Sequence, residues 1–470
     1  MSETIRWWLV LEVVAAVQLP LCLALLGRLP DRGYALSKPF GLLFLGFTFW
    51  FLNSLHILPN RAGGIVAALV LLGIVSAAFA YRYRDEFQAW AREHWRYIVG
   101  VEVLFLVTFA VAVWMRALVG QISGTEQPMD LMFLNAAASA EHFPPKDPWL
   151  SGHTVAYYYF GYLIVMMNGK LAGVPMEVAY NIGIGMIASL SLVGAFGLVY
   201  NLVFLRETAT SAASTAAQGP VKAAARRPRE ARSRRAVAAG ESGALVADTS
   251  ASGDHPAPPI NWKPPVFGLA GGLMLVVMGN LAWVLFTASA WGIGGAGFYK
   301  WIDIMGLTAD EPRKGWYPSE FFNFFDASRI YPLSSAANDR VITEFPMFSF
   351  LLGDLHPHVM ALPFVLVVVG AALSLFRSPE PLDITYWLQR PLALGGVAVL
   401  LGGLAFINTW DVATMGFLIV AAAFVSNYGR VRAITLDLFV QTASFALPLG
   451  ILALALYSPF LVSIAGNSQA

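Results

Sequence analysis

The stretch TVAYYYFGYLIVMMNGKLA, Thr154–Ala172, is apolar and long enough to cross a bilayer, and whether it crosses decides which side every later segment occupies. Ten other runs reach spanning length, at about 6–27, 39–58, 63–81, 98–119, 176–205, 265–288, 357–377, 391–408, 411–427 and 433–461. The connection 82–97 carries Arg82, Arg84, Arg92 and Arg96, and the connection 206–263 carries Arg206, Lys222, Arg226, Arg227, Arg229, Arg232, Arg234, Arg235 and Lys263. Basic connections stay on the cytoplasmic side, so an even number of crossings must separate these two. The runs 98–119 and 176–205 supply that number. Thr154–Ala172 is therefore expected at the membrane boundary without crossing, and the chain reads as an all-α polytopic membrane protein of about ten spans, N-terminus extracytoplasmic. With that choice Arg28, Arg32, Lys38, Arg377, Arg390, Arg430 and Arg432 also fall inside, which places 20 of the 30 Lys and Arg residues there.

Composition agrees. Of 470 residues, 57% are hydrophobic and 13% charged, with a mean hydropathy of +0.62; a soluble domain carries roughly 25% charged residues. A net charge of +1 gives no electrostatic footprint for nucleic acid. Cys22 is the one cysteine and lies in an apolar run, which excludes an intrachain disulfide and reads as an inert buried thiol. The start MSETIRWWLVLEVVAAV has no basic region and no small-residue cleavage site, and reads as a retained first span of a plasma-membrane protein. Three parts follow: a membrane part over 1–205 with an outer loop at 120–175, a linker over 206–263, and a second membrane part over 264–470 with an outer loop at 289–356. Within the linker, 210–259 is rich in Ala, Pro, Ser and Arg and has no aromatic residue, so it is expected to be a disordered cytoplasmic tether.

Chemistry-bearing residues gather in the outer segments. Glu126 and Asp130 follow the fourth span; Gln127-Pro128 breaks the chain, and a short amphipathic helix is expected over 129–142. Asp130 would sit in its first turn, either as a carboxylate favoured by the helix dipole or as a general base. In PPKDPW, Asp147 precedes a proline and suits a turn, and His153 suits a cap on the next helix. Tyr157, Tyr158 and Tyr159 would cover about 200° of a helix, so interfacial anchoring explains most of them and at least one hydroxyl points into the protein. In GDLHPH, Gly353–His358, Pro357 suits a first helical position, so a helix is expected to start there with Asp354 and His356 before it and His358 in its first turn. Unpaired N–H groups and the positive dipole end make that spot fit for phosphate, a metal ion or a proton. Arg329 and Glu344 belong to the same side, and Asp411 follows the tight turn Asn408-Thr409-Trp410. Glu12 and Glu102 lie inside apolar runs and read as buried and paired or as snorkelling, with no role assigned.

Taken in order, EQPMD (Glu126–Asp130), PPKDPW (Pro144–Trp149), YYYFG (Tyr157–Gly161), SRIYP (Ser328–Pro332), EFPMFSFLLGDLHPHVMALPF (Glu344–Phe364) and NTWD (Asn408–Asp411) resemble the YYY-domain membrane proteins, a family placed in the GT-C glycosyltransferase superfamily. The resemblance implies a GT-C-like architecture whose first outer loop holds two juxtamembrane helices and an acidic catalytic residue. It also implies transfer from a polyprenyl-phosphate-linked sugar on the extracytoplasmic face, with membrane lipid and that donor as partners and no nucleic acid. Related chains often continue past the equivalent of Ala470. Carried over, Asp130, with Glu126 beside it, takes the acidic position. Arg329, His356, His358 and the helix end at Pro357 would hold the phosphate, and Asp354, Tyr158, Tyr159, Asp147, His153, Glu344 and Asp411 would line the substrate site. A magnesium or manganese ion bridging Asp130, Asp354 and His356 is left open. Two rival classes remain: a secondary transporter or flippase of a lipid-linked or anionic substrate, and a non-catalytic scaffold for envelope assembly.

Overall fold

The computed structural model describes residues 1–217, 261–279, 282–302, 328 and 341–467. Arg329 lies outside the described residues. Among the described residues the fold is all-helical, with one isolated bridge between Lys146 and Thr154. In order the helices are α1 (Ser2–Leu25), α2 (Ser37–Ser54), α3 (Ala62–Arg82), α4 (Arg84–Glu93), α5 (Trp95–Leu118), α6 (Gln127–Ser139), α7 (Phe160–Ala172) and α8 (Met176–Ala217). Then come α9 (Lys263–Leu273), α10 (Ala282–Ala290), α11 (Ala296–Ile302), α12 (Pro346–Leu352), α13 (Pro357–Phe376), α14 (Ile384–Gln389), α15 (Pro391–Ile407), α16 (Thr409–Val431), α17 (Leu436–Leu456) and α18 (Ser458–Asn467).

Among the described residues eight helices are long and apolar enough to span, and two shorter apolar helices, Lys263–Met278 and Pro391–Ile407, account for the other two runs. The expected run 265–288 is not one helix: α9 passes into a π-turn at Met274–Met278 and stops at Gly279. Gly279 has φ +58°, and a Cβ there would lie 2.3 Å from the Phe345 ring, so only glycine fits this break. Helix α8 continues to Ala217, past the expected start of the linker at 206, and residues 218–260 of that linker lie outside the described residues.

Burial separates core from lipid-facing helices. The apolar window of α8 is 94% buried, against 17% in α5 and 11% in α16. On α5, Val99, Val103, Val107 and Val111 repeat every fourth residue and are all exposed, a stripe that meets acyl chains. The segment Thr154–Ala172 is not one long helix. Its helical part, α7, has 13 residues, about 20 Å of helix against a hydrocarbon core of about 30 Å. Residues Phe160–Gly169 of α7 are buried on every face, so it is apolar all round because protein encloses it. Small residues permit the enclosure, since helices in a membrane associate by close packing. A Cβ on Gly161 would lie 2.7 Å from Met360 of α13, and one on Gly183 of α8 would lie 3.1 Å from Val165.

Tertiary contacts sort the connections to two ends. At one, Asn53 Nδ2 donates to the Glu141 carbonyl at 3.1 Å and Gln127 Nε2 to the Leu352 carbonyl at 2.6 Å. At the other, Arg28 Nη1 donates to the Tyr386 hydroxyl at 2.9 Å and Lys263 lies 3.2 Å from Glu207. The first end collects 119–159 and 341–356; the second collects the basic connections. Between them, Lys38 Nζ lies 2.6 Å from Glu102 and 3.2 Å from Glu12, so both acids are paired and about 30% exposed.

Candidate functional site

Helix α6 is positioned from both ends. Its last carbonyls have no partner within the helix. Asn60 Nδ2 satisfies those of Ala137 and Ala140 at 2.8 and 2.7 Å, and Lys170 Nζ that of Ala138 at 2.9 Å. Burial lowers the Lys170 ammonium to about 8. At the other end Glu126 occupies the N-cap position, and Gln127 Oε1 accepts from the Ser123 and Gly124 amides at 3.1 and 3.4 Å. Thr125 sits at φ +46°, a conformation that costs a branched residue about 1–2 kcal/mol. In return its hydroxyl reaches both oxygens of Asp354, at 2.9 and 3.1 Å.

Asp130 is in the first turn of α6, as expected, but faces inward and is fully buried. Its Oδ1 accepts from the Tyr162 hydroxyl of α7 at 2.6 Å, and its Oδ2 lies 3.4 Å from the Tyr180 hydroxyl of α8. Burial pushes the carboxyl up to about 7; Asp354 and Glu126 push the same way, and the two hydroxyls oppose. The Tyr180 oxygen is also 3.1 Å from the Gly353 carbonyl and accepts from the Leu355 amide at 3.3 Å. One hydroxyl hydrogen thus has two acceptors in reach.

Helix α13 starts at Pro357 with His356 at its N-cap, as the sequence predicts. Gly353, at φ +81°, turns the chain from α12 into this start, and Arg116 packs over it so closely that a Cβ would lie 2.5 Å from Nη1. Nε2 of His356 lies 2.8 Å from Glu126, and Nε2 of His358 lies 3.3 Å from Glu344. The two imidazole centroids are 5.3 Å apart. Asp354 is buried, which raises its carboxyl, while Thr125 and His356 hold it down. Asp411, hydrogen-bonded to Asn408 Nδ2 at 3.0 Å, lies within electrostatic reach of His358.

The segment before and including the start of α6 and the downstream start of α13 therefore converge. Glu126, Asp130, Glu344, Asp354, His356, His358 and Asp411 form one neighbourhood. Carboxylates predominate in it, with Glu126 about half in solvent and His356 about a quarter exposed.

Four expected contributors behave differently. Tyr159 is a core pillar: it is 1% exposed and its hydroxyl accepts from Trp50 Nε1 at 3.1 Å. Tyr157 and Tyr158 precede α7 and so do not lie on a helix; their rings pack on each other at 4.9 Å, and Tyr157 stacks on Phe133 at 5.0 Å. Asp147 accepts from the Trp149 and Leu150 amides at 2.8 and 3.0 Å, a turn stabilised by its own side chain. His153 caps no helix, since α7 begins only at Phe160; its carbonyl accepts from the Asp147 amide at 2.9 Å. The residues missed in the sequence are Thr125, Gln127, Tyr162, Tyr180 and Arg116. Tyr162 was concealed by its triplet neighbours, and Tyr180 by the anchoring role usual for a tyrosine at the end of a span.

The set Asp130, Asp354 and His356 does not assemble as ligands: Tyr162 and Tyr180 hold the first, Thr125 the second and Glu126 the third. No group of three His, Cys, Asp or Glu among the described residues could hold a metal ion.

The family model described as Uncharacterized membrane protein (DUF2298) matches residues 44–470. The chain belongs to that family. No curated protein and no solved structure matches it. As a DUF2298 member it is an integral membrane protein, and its acidic–imidazole neighbourhood lies within the matched segment.

Proposed function

We propose that the protein is a membrane glycosyltransferase that takes a sugar from a polyprenyl-phosphate donor at the extracytoplasmic boundary. The observation that carries this reading is the 2.8 Å contact between Glu126 and His356, which joins two remote segments into one solvent-accessible carboxylate–imidazole pair. Glu126 fixes the imidazole with its proton on Nε2, which leaves Nδ1 to accept a proton from substrate. An acceptor oxygen attacks the anomeric carbon and forms the new C–O bond; its proton goes to Nδ1 of His356. The anomeric C–O bond to phosphate breaks, and its electron pair leaves with the polyprenyl phosphate. His358, with the dipole end of α13, stabilises the charge developing on that phosphate. Asp130 is sealed behind Tyr162 and Tyr180, so its part is to hold α6, α7 and α8 in register beneath the reacting groups.

The test is transfer of labelled sugar from a polyprenyl-phosphate donor by full-length protein in proteoliposomes. Product formation that disappears in Glu126→Gln supports the reading; product formation unchanged by that substitution removes it.

One observation favours the transporter class. Two carboxylates, Glu12 and Glu102, share one ammonium, Lys38, within the spans, and ionisable groups inside a bundle often mark ion paths. Ion or lipid flux without covalent product, lost in Glu12→Gln and intact in Glu126→Gln, would select that class.

A further inference from the structure

The end of the bundle opposite the acidic neighbourhood contains a second feature, a cavity of about 480 Å³. It lies between the end of α1, the α3–α4 corner, the last turns of α13 and the α14–α15 joint. Arg28, Arg32 and Arg390 line it against a single acid, Glu86. Arg32 pairs with Glu86, and Arg390 lies 2.7 Å from Glu380. Arg28 has no carboxylate partner among the described residues; its Nη1 donates to the Tyr386 hydroxyl at 2.9 Å. The guanidinium carbons of Arg28 and Arg390 lie 5.6 and 4.8 Å from the Tyr386 ring centroid, so one aromatic side chain organises both cations. The rest of the lining is largely apolar, including Leu21, Leu25, Ala393 and Val397. Leu388 and Leu392, beside the cavity, are 74% and 66% exposed, which marks that flank as lipid-facing.

We propose that this cavity binds an anionic phospholipid, its phosphate among Arg28, Arg32 and Arg390 and an acyl chain along Leu21, Leu25 and Val397. Guanidinium groups present a planar fork to phosphate oxygens, and basic pockets between spans suit anionic headgroups. A free polar anion would use the arginines and leave the apolar wall unmatched, whereas a zwitterionic lipid would bring its own cation against them. The site is separate from the acidic neighbourhood, and it stands whether or not sugar transfer is observed.

The test counts lipid retained by full-length protein in detergent, by native mass spectrometry, after exposure to phosphatidylglycerol, to phosphatidylcholine, or to phosphatidylglycerol with excess inorganic phosphate. Phosphatidylglycerol should be retained at least about tenfold over phosphatidylcholine, and inorganic phosphate should not displace it. The double variant Arg28→Ala, Arg390→Ala should lose phosphatidylglycerol by about 30-fold, with phosphatidylcholine unchanged. Equal retention of the two lipids, displacement by inorganic phosphate, or unchanged retention in the double variant would overturn the proposal. If that variant does not fold, Ala393→Phe, which fills the apolar wall and leaves every arginine in place, decides: lost phosphatidylglycerol supports the site, and retained phosphatidylglycerol overturns it.

Discussion

Nε2 of His356 lies 2.8 Å from Oε2 of Glu126, so the N-cap of α6 and the N-cap of α13 touch through their side chains. Replacing Glu126 by Gln keeps the size and a hydrogen-bonding group but removes the charge that orients the imidazole. Transfer from a lipid-linked donor should fall by about 100-fold or more, while elution volume and thermal unfolding stay as in the parent. Parallel rate and unfolding measurements check this, because a purely structural role would move both together.

Asp130 predicts a pH dependence of stability. Its folded-state carboxyl is raised from 3.8 to about 7, so the folded protein holds this proton more tightly than the unfolded chain. The stabilisation is fully present below about 4 and is lost as pH rises through about 7. Asp130→Asn cannot titrate, and subtracting its profile from the parent should leave a decline of about 1.4 kcal/mol per pH unit between those limits. Unfolding at pH 5, 6, 7 and 8 in one detergent would show it; parallel profiles would rule it out.

Lys170 donates to the Asn60 carbonyl and Oδ1 at 2.8 Å and to Ala138 at 2.9 Å, and so ties α7 to the end of α6. Lys170→Met keeps the stem and removes the three bonds. It should destabilise the protein by about 2–4 kcal/mol. Hydrogen exchange should rise first at residues 136–140, the carbonyl end of α6.

Gly353→Ala places a Cβ at φ +81° and 2.5 Å from the Arg116 guanidinium. Either Arg116 leaves its acceptors at Asn181, Val119 and Gln121 or the turn into α13 opens. A loss of about 1–3 kcal/mol is expected, with transfer activity reduced because His356 follows that turn. Thermal unfolding combined with turnover at saturating donor checks both parts.

Much of this was legible in the sequence because short-range rules acted alone. Proline fixes its own φ and restrains its neighbour, so the start of α13 at Pro357 follows from HPH. Loop charges argue against Thr154–Ala172 crossing, and its helical part, α7, has only 13 residues. Long-range partners were not legible. Nothing local to Tyr162, Tyr180 or Thr125 states that each meets a carboxylate far away in the chain, and their hydroxyls resemble any other at a membrane boundary. The inward turn of Asp130 escaped for a related reason: a first-turn carboxylate serves a helix equally well pointing out, and only packing by α7 and α8 decides.

The Tyr180 hydroxyl has one hydrogen for two acceptors. When Asp130 is ionised, that hydrogen is drawn to the carboxylate and the Gly353 carbonyl goes without. When Asp130 is protonated, its own O–H can point at the Tyr180 oxygen, and the tyrosine hydrogen returns to Gly353. The hydrogen bonding of the Gly353 carbonyl, three residues before His356, thus follows the ionisation of Asp130 through the rotation of a single phenol O–H.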